Sequence, residues 1–218
     1  MAQIFPRSAN WFSKASILIV LLVVGTILTV VLNINRLYFV NHVYIPKDQP
    51  VPFSHKHHVT GLGIDCRYCH TTVEEAAFAN IPPTETCMTC HSQIWTDAPN
   101  LEPVRESYRS NVALEWNRVH DLPDFVYFNH SIHVNKGIGC QSCHGQVDQM
   151  PLMWKEHSLN MEWCLECHRE PEKFIRPKDQ VFNMNYVSQV DQAVLGPQLV
   201  KEYDVQTSQL TNCSICHR

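Results

Sequence analysis

Five times this chain repeats Cys-x-x-Cys-His: at Cys66/Cys69/His70, Cys87/Cys90/His91, Cys140/Cys143/His144, Cys164/Cys167/His168 and Cys213/Cys216/His217. These motifs take up all ten cysteines. Two thiols three residues apart can form thioethers to the two vinyl groups on one porphyrin edge. The adjacent imidazole can then swing beneath the ring and ligate the iron, which makes the motif the attachment signature of haem c. Zinc sites need paired Cys-x-x-Cys units but give no reason for a histidine after every one. A disulfide framework fits poorly too, because neighbouring thiols inside each motif would be a weak staple for 218 residues. The expectation is five covalently bound haem c groups, with His70, His91, His144, His168 and His217 as proximal iron ligands.

Eight further histidines lie outside the motifs, and two pairs of them stand in a repeat. Phe53-Ser54-His55-Lys56-His57-His58-Val59 matches Phe128-Asn129-His130-Ser131-Ile132-His133-Val134. Each is followed by a glycine-containing turn, one haem motif, and a second motif about twenty residues on. The offset is 75 residues at the histidines, 74 from Cys66 to Cys140 and 77 from Cys87 to Cys164. On a helical turn, residues i and i+3 occupy neighbouring parts of one face, so the two imidazoles of a pair can each reach a different haem. That arrangement fixes two macrocycles close together, as electron hopping requires. His55, His58, His130 and His133 are therefore expected as distal ligands, where surface histidines would be the ordinary alternative.

These units resemble the cytochrome c7 and class III cytochrome c modules, in which Phe-x-His-x-x-His supplies distal ligands to the first and second haems and a later histidine serves a third. The resemblance implies His130 for the Cys140 haem, His133 for the Cys164 haem and His157 for the Cys213 haem. In the first unit it implies His55 for the Cys66 haem and His58 for the Cys87 haem. The fifth distal ligand stays open: Met150, Met153 and Met161 share the stretch with His157, and an axial methionine would raise that haem's potential. A methionine there more ordinarily packs against a ring. His120 is a further candidate, or a partner for a propionate or the backbone. His42 and His57 are expected not to ligate.

Around these residues the elements are few. Residues 15–35 contain 21 consecutive positions without charge, and at about 1.5 Å per residue they reach roughly 30 Å, the thickness of a bilayer's hydrocarbon core. Trp11 and Phe12 before the run, and Tyr38, Phe39 and Tyr44 after it, suit interfacial belts. The run is longer than a signal peptide's apolar core and offers no small-x-small cleavage site. A retained single-span anchor is expected. Arg7 and Lys14 argue weakly for a cytoplasmic N-terminus against Arg36 and Lys47. Haem attachment on the outer face of the bacterial cytoplasmic membrane places the haem domain on the periplasmic side.

Residues 101–116 read as a modest helix with Pro103 in its first turn, and 169–212 hold no Cys or His. The expected fold class is mainly irregular with short α-helices: two tandem c7-like modules of two and three haems behind one transmembrane helix. The boundaries are 1–40 for the anchor, 41–100 for the dihaem module, 101–127 for a connecting segment and 128–218 for the trihaem module. Within the last, 169–212 is expected as an extended arm lying over partner subunits.

Apolar residues make up 44% and charged ones 17%, with a formal charge of −4, which excludes a disordered chain and a basic nucleic-acid binder. Haem propionates would carry the reduced protein toward roughly −14, so a basic soluble acceptor is plausible. With every iron six-coordinate the chain reads as an electron carrier, with no catalytic site of its own.

The anchor, the two histidine-pair segments (the second from Asp124-Phe125-Val126-Tyr127) and Glu162-Trp163-Cys164-Leu165-Glu166-Cys167-His168-Arg169 together resemble the ActA family. Those are the membrane-anchored pentahaem cytochrome c subunits of bacterial alternative complex III. The resemblance implies quinol oxidation in a respiratory complex. Its partners would be a multispan quinol-binding subunit, an iron–sulfur subunit and a monohaem cytochrome, delivering electrons to a periplasmic cytochrome, copper protein or terminal oxidase. The alternatives are a free-standing quinol dehydrogenase of the NapC/NrfH kind, or a multihaem reductase with an open haem.

Overall fold

The computed structural model describes residues 4–34 and 36–217. Residues 1–3, Asn35 and Arg218, which the expected boundaries include, lie outside the described residues. The chain divides into two units, residues 1–42 and 43–218.

The first unit is built on helix α1, Ala9–Ile34. It carries no acidic or basic residue in its terminal turns and buries none of its residues within the protein. Its side-chain hydroxyls bond back to its own carbonyls, as with Thr26 Oγ1 to Leu22 O and Thr29 Oγ1 to Gly25 O, both 2.8 Å. A helix that satisfies its polar groups internally and is apolar all round is long and apolar enough to cross a membrane.

The second unit is mainly irregular. Among the described residues it contains no strand, only isolated bridges at Val43–Lys155 and Ile138–Ile175. Its helices are α2 (Cys66–Cys69), α3 (Thr84–His91), α4 (Glu102–Ser110), α5 (His130–Asn135), α6 (Gln141–His144), α7 (Met161–Arg169), α8 (Gln192–Glu202) and α9 (Cys213–Cys216). The helix expected over 101–116 stops at Ser110, because Asn111 adopts a left-handed φ of 55° and caps it. Ten apolar residues are buried among those described, and the cluster of Val73, Val134 and Val181 joins the two repeats to the segment after α7. Protein atoms alone give this unit a small core, as expected where porphyrins supply the apolar bulk.

Segment 169–212, expected as an arm over partner subunits, makes contacts within its own unit. Arg176 N donates to Gly137 O at 2.8 Å, and Cys140 N donates to Val181 O at 3.2 Å, so its first half closes over the third haem motif. Helix α8 then packs on the turn Pro171–Lys173, where Gly196 meets the Glu172 carbonyl and a Cβ would clash. Gln192 Nε2 ties α8 to Glu172 O and Ile175 O at 2.7 and 2.9 Å.

Candidate haem-binding site

Each haem motif lies on a helical turn, which puts cysteines i and i+3 on one face with the histidine just beyond. In both repeats the first motif occupies a single turn, α2 and α6, while the second lies on a longer helix, α3 and α7. Asp65 caps α2 by accepting from Arg67 N at 2.8 Å and also pairs with the Arg67 guanidinium at 2.9 Å. Burial pushes the Cys140 and Cys143 thiols up to about 11 and about 12, the opposite of a redox-active thiol.

The ten cysteines are not covered alike. Cys66, Cys69, Cys87, Cys140, Cys143, Cys164, Cys167 and Cys216 are half-buried, whereas Cys90 and Cys213 are exposed. Cys90 thus departs from its partner Cys87, although both are expected to hold the same porphyrin edge. The reason lies in how α3 packs. It rests on α4, with Thr84 Oγ1 and Ser107 Oγ 2.7 Å apart, through the face that also carries Cys87, Met88 and His91. Cys90 neighbours Cys87 but, at about 100° per residue, lies about 60° further from the centre of that face, beside exposed Thr89. Thr89 Oγ1 donates to its sulfur at 3.9 Å. An open thiol remains reachable by a vinyl group, so its exposure leaves Cys90 among the candidate attachment residues.

The histidines are held by their Nδ1 atoms. Among proximal ones, Nδ1 of His70 bonds Asn80 O at 2.7 Å, His91 bonds Ile94 O at 3.1 Å, His168 bonds Leu210 O at 2.8 Å and His217 bonds Phe125 O at 3.1 Å. Among expected distal ones, His58 bonds Ser54 O at 2.9 Å, His130 bonds Ala77 O at 2.8 Å and His133 bonds Asn129 O at 2.7 Å. A carbonyl only accepts, so each of these Nδ1 atoms carries the proton and leaves the Nε2 lone pair for a metal. Ligation also needs neutral imidazole. Burial pushes His55 down to about 4, helped by His70 and His58 nearby. It lowers His130 and His133 as well, against the carbonyl bonds that pull them up.

The phenylalanine at the head of each histidine pair has a defined job. Phe53 meets His55 edge-on with ring centres 4.9 Å apart and stacks on His58 at 4.4 Å. Phe128 repeats this on His130 at 4.8 Å and His133 at 4.5 Å. One ring thus sets the orientation of both imidazoles.

The pairs face the motif histidines. His58 lies opposite His91 with ring centres 6.3 Å apart, His130 opposite His144 at 6.3 Å and His133 opposite His168 at 6.1 Å. Metal–imidazole bonds of about 2 Å, plus about 1 Å from each nitrogen to its ring centre, put two imidazoles on one iron about 6 Å apart. These residues fit the group. His55 is half-buried near His70, and its Nδ1 is buried with no hydrogen-bond partner among the described residues.

The fifth motif is positioned but less completely framed. Phe125 stacks on His217 at 5.9 Å, and Tyr127 N donates to Cys216 O at 2.8 Å. His157 instead stacks on Trp163 at 4.9 Å. Met150 is fully buried by protein, Met153 half-buried and Met161 exposed. His120 sits 4.3 Å from the His144 ring, too close for an iron between them, and its Nε2 is buried without a partner among the described residues. His57 stacks on Trp95 at 5.5 Å.

Sequence reasoning missed the carbonyl partners, because a backbone oxygen at Asn80, Ala77 or Leu210 leaves no mark in residue type. It also missed two buried charges, Asp148 and Arg176. The phenylalanine two positions before each histidine pair was the one available signal for ring orientation.

Residues 126–218 match the family described as cytochrome c7 and related cytochrome c. This part of the chain is a c7-like multihaem domain binding c-type haem. Over 107 residues the chain is 36% identical to the menaquinone reductase, multiheme cytochrome c subunit, of Nitratidesulfovibrio vulgaris (strain Hildenborough). That match covers 49% of this chain, and the chain spans about half, 50%, of the length of that relative. Over its C-terminal part the chain is thus similar to multihaem cytochromes c of the c7 kind.

Proposed function

We propose that the chain carries five haem c groups and relays electrons within a membrane-bound quinol:acceptor oxidoreductase of the alternative complex III kind. The observation that carries this reading is the set of facing imidazoles at 6.1–6.3 Å. Where both axial positions of an iron are filled, bond-making chemistry at that iron has no entry, and a carrier remains. Bound haem supplies one-electron transfer between oxidation states of its iron, at a potential tuned by ligands and surroundings.

The protein's own residues fix ligand geometry. Cysteine pairs on helical turns, exposed Cys90 and Cys213 included, hold the porphyrin edge. Nδ1 bonds lock the imidazoles, and Phe53 and Phe128 set ring planes. The ligand set is His55 with His70, His58 with His91, His130 with His144 and His133 with His168. For His217 the partner is His157, with Met150, Met153, Met161 and His120 as the competing choices. The complete burial of Met150 favours packing over ligation for that residue. Helix α1 serves as the anchor, with the haem region outside the bacterial cytoplasmic membrane. A multispan quinol-binding subunit, an iron–sulfur subunit and a monohaem cytochrome complete the assembly.

A second reading concerns direction. The relative is named for menaquinone reduction, which favours electrons flowing toward the quinone pool. Purification in mild detergent tests both readings. A stoichiometric multisubunit complex, five haem increments in the intact mass of this chain, and menaquinol-dependent reduction of its haems are expected. Quinol oxidation by the isolated chain would overturn the complex, and reduction of the quinone by pre-reduced complex without the reverse activity would reverse the direction.

A further inference from the structure

Two side chains of opposite formal charge, Asp148 and Arg176, are buried in the second unit. Asp148 is 5% exposed. It accepts from Thr60 Oγ1 at 3.3 Å and Gln149 Nε2 at 2.9 Å, and its Oδ1 has no partner among the described residues. Arg176 is 6% exposed. It donates to Asn183 O at 3.3 Å and Ser142 Oγ at 3.4 Å, and its Nε is unpartnered among the described residues. None of the ion pairs found among the described residues includes either side chain. Burying a charge without a counter-charge is costly, so a protein that keeps two invites a reason.

Their placement supplies one. Ser142 lies between the two cysteines of the third motif, and Gly139 immediately before it lacks a side chain where a Cβ would strike the Arg176 guanidinium. Asp148 lies in the turn Val147–Gln149, which packs on Lys56–Gly61, the turn that opens at His55, the ligand proposed for the first-motif haem, and Lys56 N donates to Met150 O at 3.1 Å beside it. Burial raises both the Cys140 and the Cys66 thiols. On top of that, Cys66 and Asp65 push Cys140 further up while Arg176 draws it down, and Asp65, then Asp148, push Cys66 up while Arg67 draws it down. The first and third motifs are therefore neighbours with buried charges of opposite sign beside them.

We infer that Asp148 and Arg176 set a potential step between two adjacent haems, lowering the one held by Cys66/Cys69 and raising the one held by Cys140/Cys143. A fixed negative charge stabilises oxidised iron and a fixed positive charge stabilises reduced iron, with little screening where both are buried. The step makes transfer from the first-motif haem to the third-motif haem downhill. It carries electrons across the joint between the two repeats. If Arg176 meets a propionate of the third haem, neutralising that carboxylate acts in the same direction.

This inference rests on the haem reading, and its test separates the two. Resolved spectroelectrochemical titration of the detergent-purified full chain in its complex is compared for wild type, Asp148→Asn, Arg176→Gln and Arg176→Lys. Asp148→Asn is expected to shift the reduced-to-oxidised ratio of one haem about tenfold toward reduced at fixed ambient potential, about 59 mV for one electron. Arg176→Gln is expected to shift a different haem about tenfold toward oxidised, and Arg176→Lys to restore most of it. Haem content per chain, read from intact mass, reports whether the sites are loaded. Five haems with unmoved midpoints, or with both variants shifting the same way, overturn the inference and leave the haem reading standing. Absence of haem from the wild-type chain overturns the haem reading itself. Should Arg176→Gln lose haem, Asp148→Asn alone decides: a shift in the opposite direction or none overturns the step.

Discussion

The two copies of the repeat hold equivalent histidines by different means. In the first, His55 leads into a π-helical turn, Lys56–Gly61, with no side-chain cap, and its Nδ1 has no partner among the described residues. In the second, His130 opens the α-helix α5, capped by Asn129, whose side chain accepts from Ser131 N at 2.9 Å. His130 then bonds through Nδ1 to the Ala77 carbonyl, which belongs to the first repeat. Yet the phenylalanine geometry is the same within a few tenths of an ångström in both copies. Ring orientation is thus the shared requirement, while backbone form and polar support have diverged around it.

The sharpest way to probe that equivalence is to remove the corresponding proposed ligands. His58→Gly and His133→Gly are each expected to convert one haem from low-spin to high-spin and to admit cyanide, read by electron paramagnetic resonance and optical titration. A change in one variant and not the other would break the correspondence between repeats. Phe53→Leu and Phe128→Leu come next. Each loses an aromatic stack on two imidazoles, about 1 kcal/mol of stability, visible as a lower Tm of the holoprotein. The two losses should match to within their error, since the two geometries do.

The capping difference should separate the copies. Asn129→Ala is expected to cost about 1 kcal/mol. Ser54→Ala, at the matching position, removes only the hydroxyl that accepts from His57 N at 3.1 Å and should cost about 0.5 kcal/mol. Equal losses by thermal melting would mean that the π-turn is capped as firmly as α5. Smallest is Asn135→Ala, which deletes an exposed bond from Nδ2 to Glu74 O at 2.8 Å between the repeats. A fall of a few tenths of a kcal/mol is expected.

Much of the chemistry was legible in the sequence, because covalent haem attachment demands particular residue types at fixed spacing. The histidine pairs could be read from their repetition, and α1 from its unbroken apolar run. The uneven cover of Cys87 and Cys90 could not, since it follows from which side of α3 meets α4. Helix α8 was hidden as well, since Gly196 and Pro197 interrupt its pattern and its burial depends on a close approach to the Glu172 carbonyl. Asp148 and Arg176 lie outside every repeated motif, and only folding brings them to two different ones. The distal partner of His217 stayed open for a similar reason, since a ligand supplied across the fold has no spacing rule.

The bond from His130 to Ala77 carries a consequence for how such a protein can change. The second repeat does not stand alone: His130, proposed here as an iron ligand, takes its orientation from the main chain of the first repeat. Deleting or exchanging residues 74–80 would alter a redox centre whose own motif is untouched. The two copies are interdependent, so the second repeat cut away from the first would lose the carbonyl on which His130 rests.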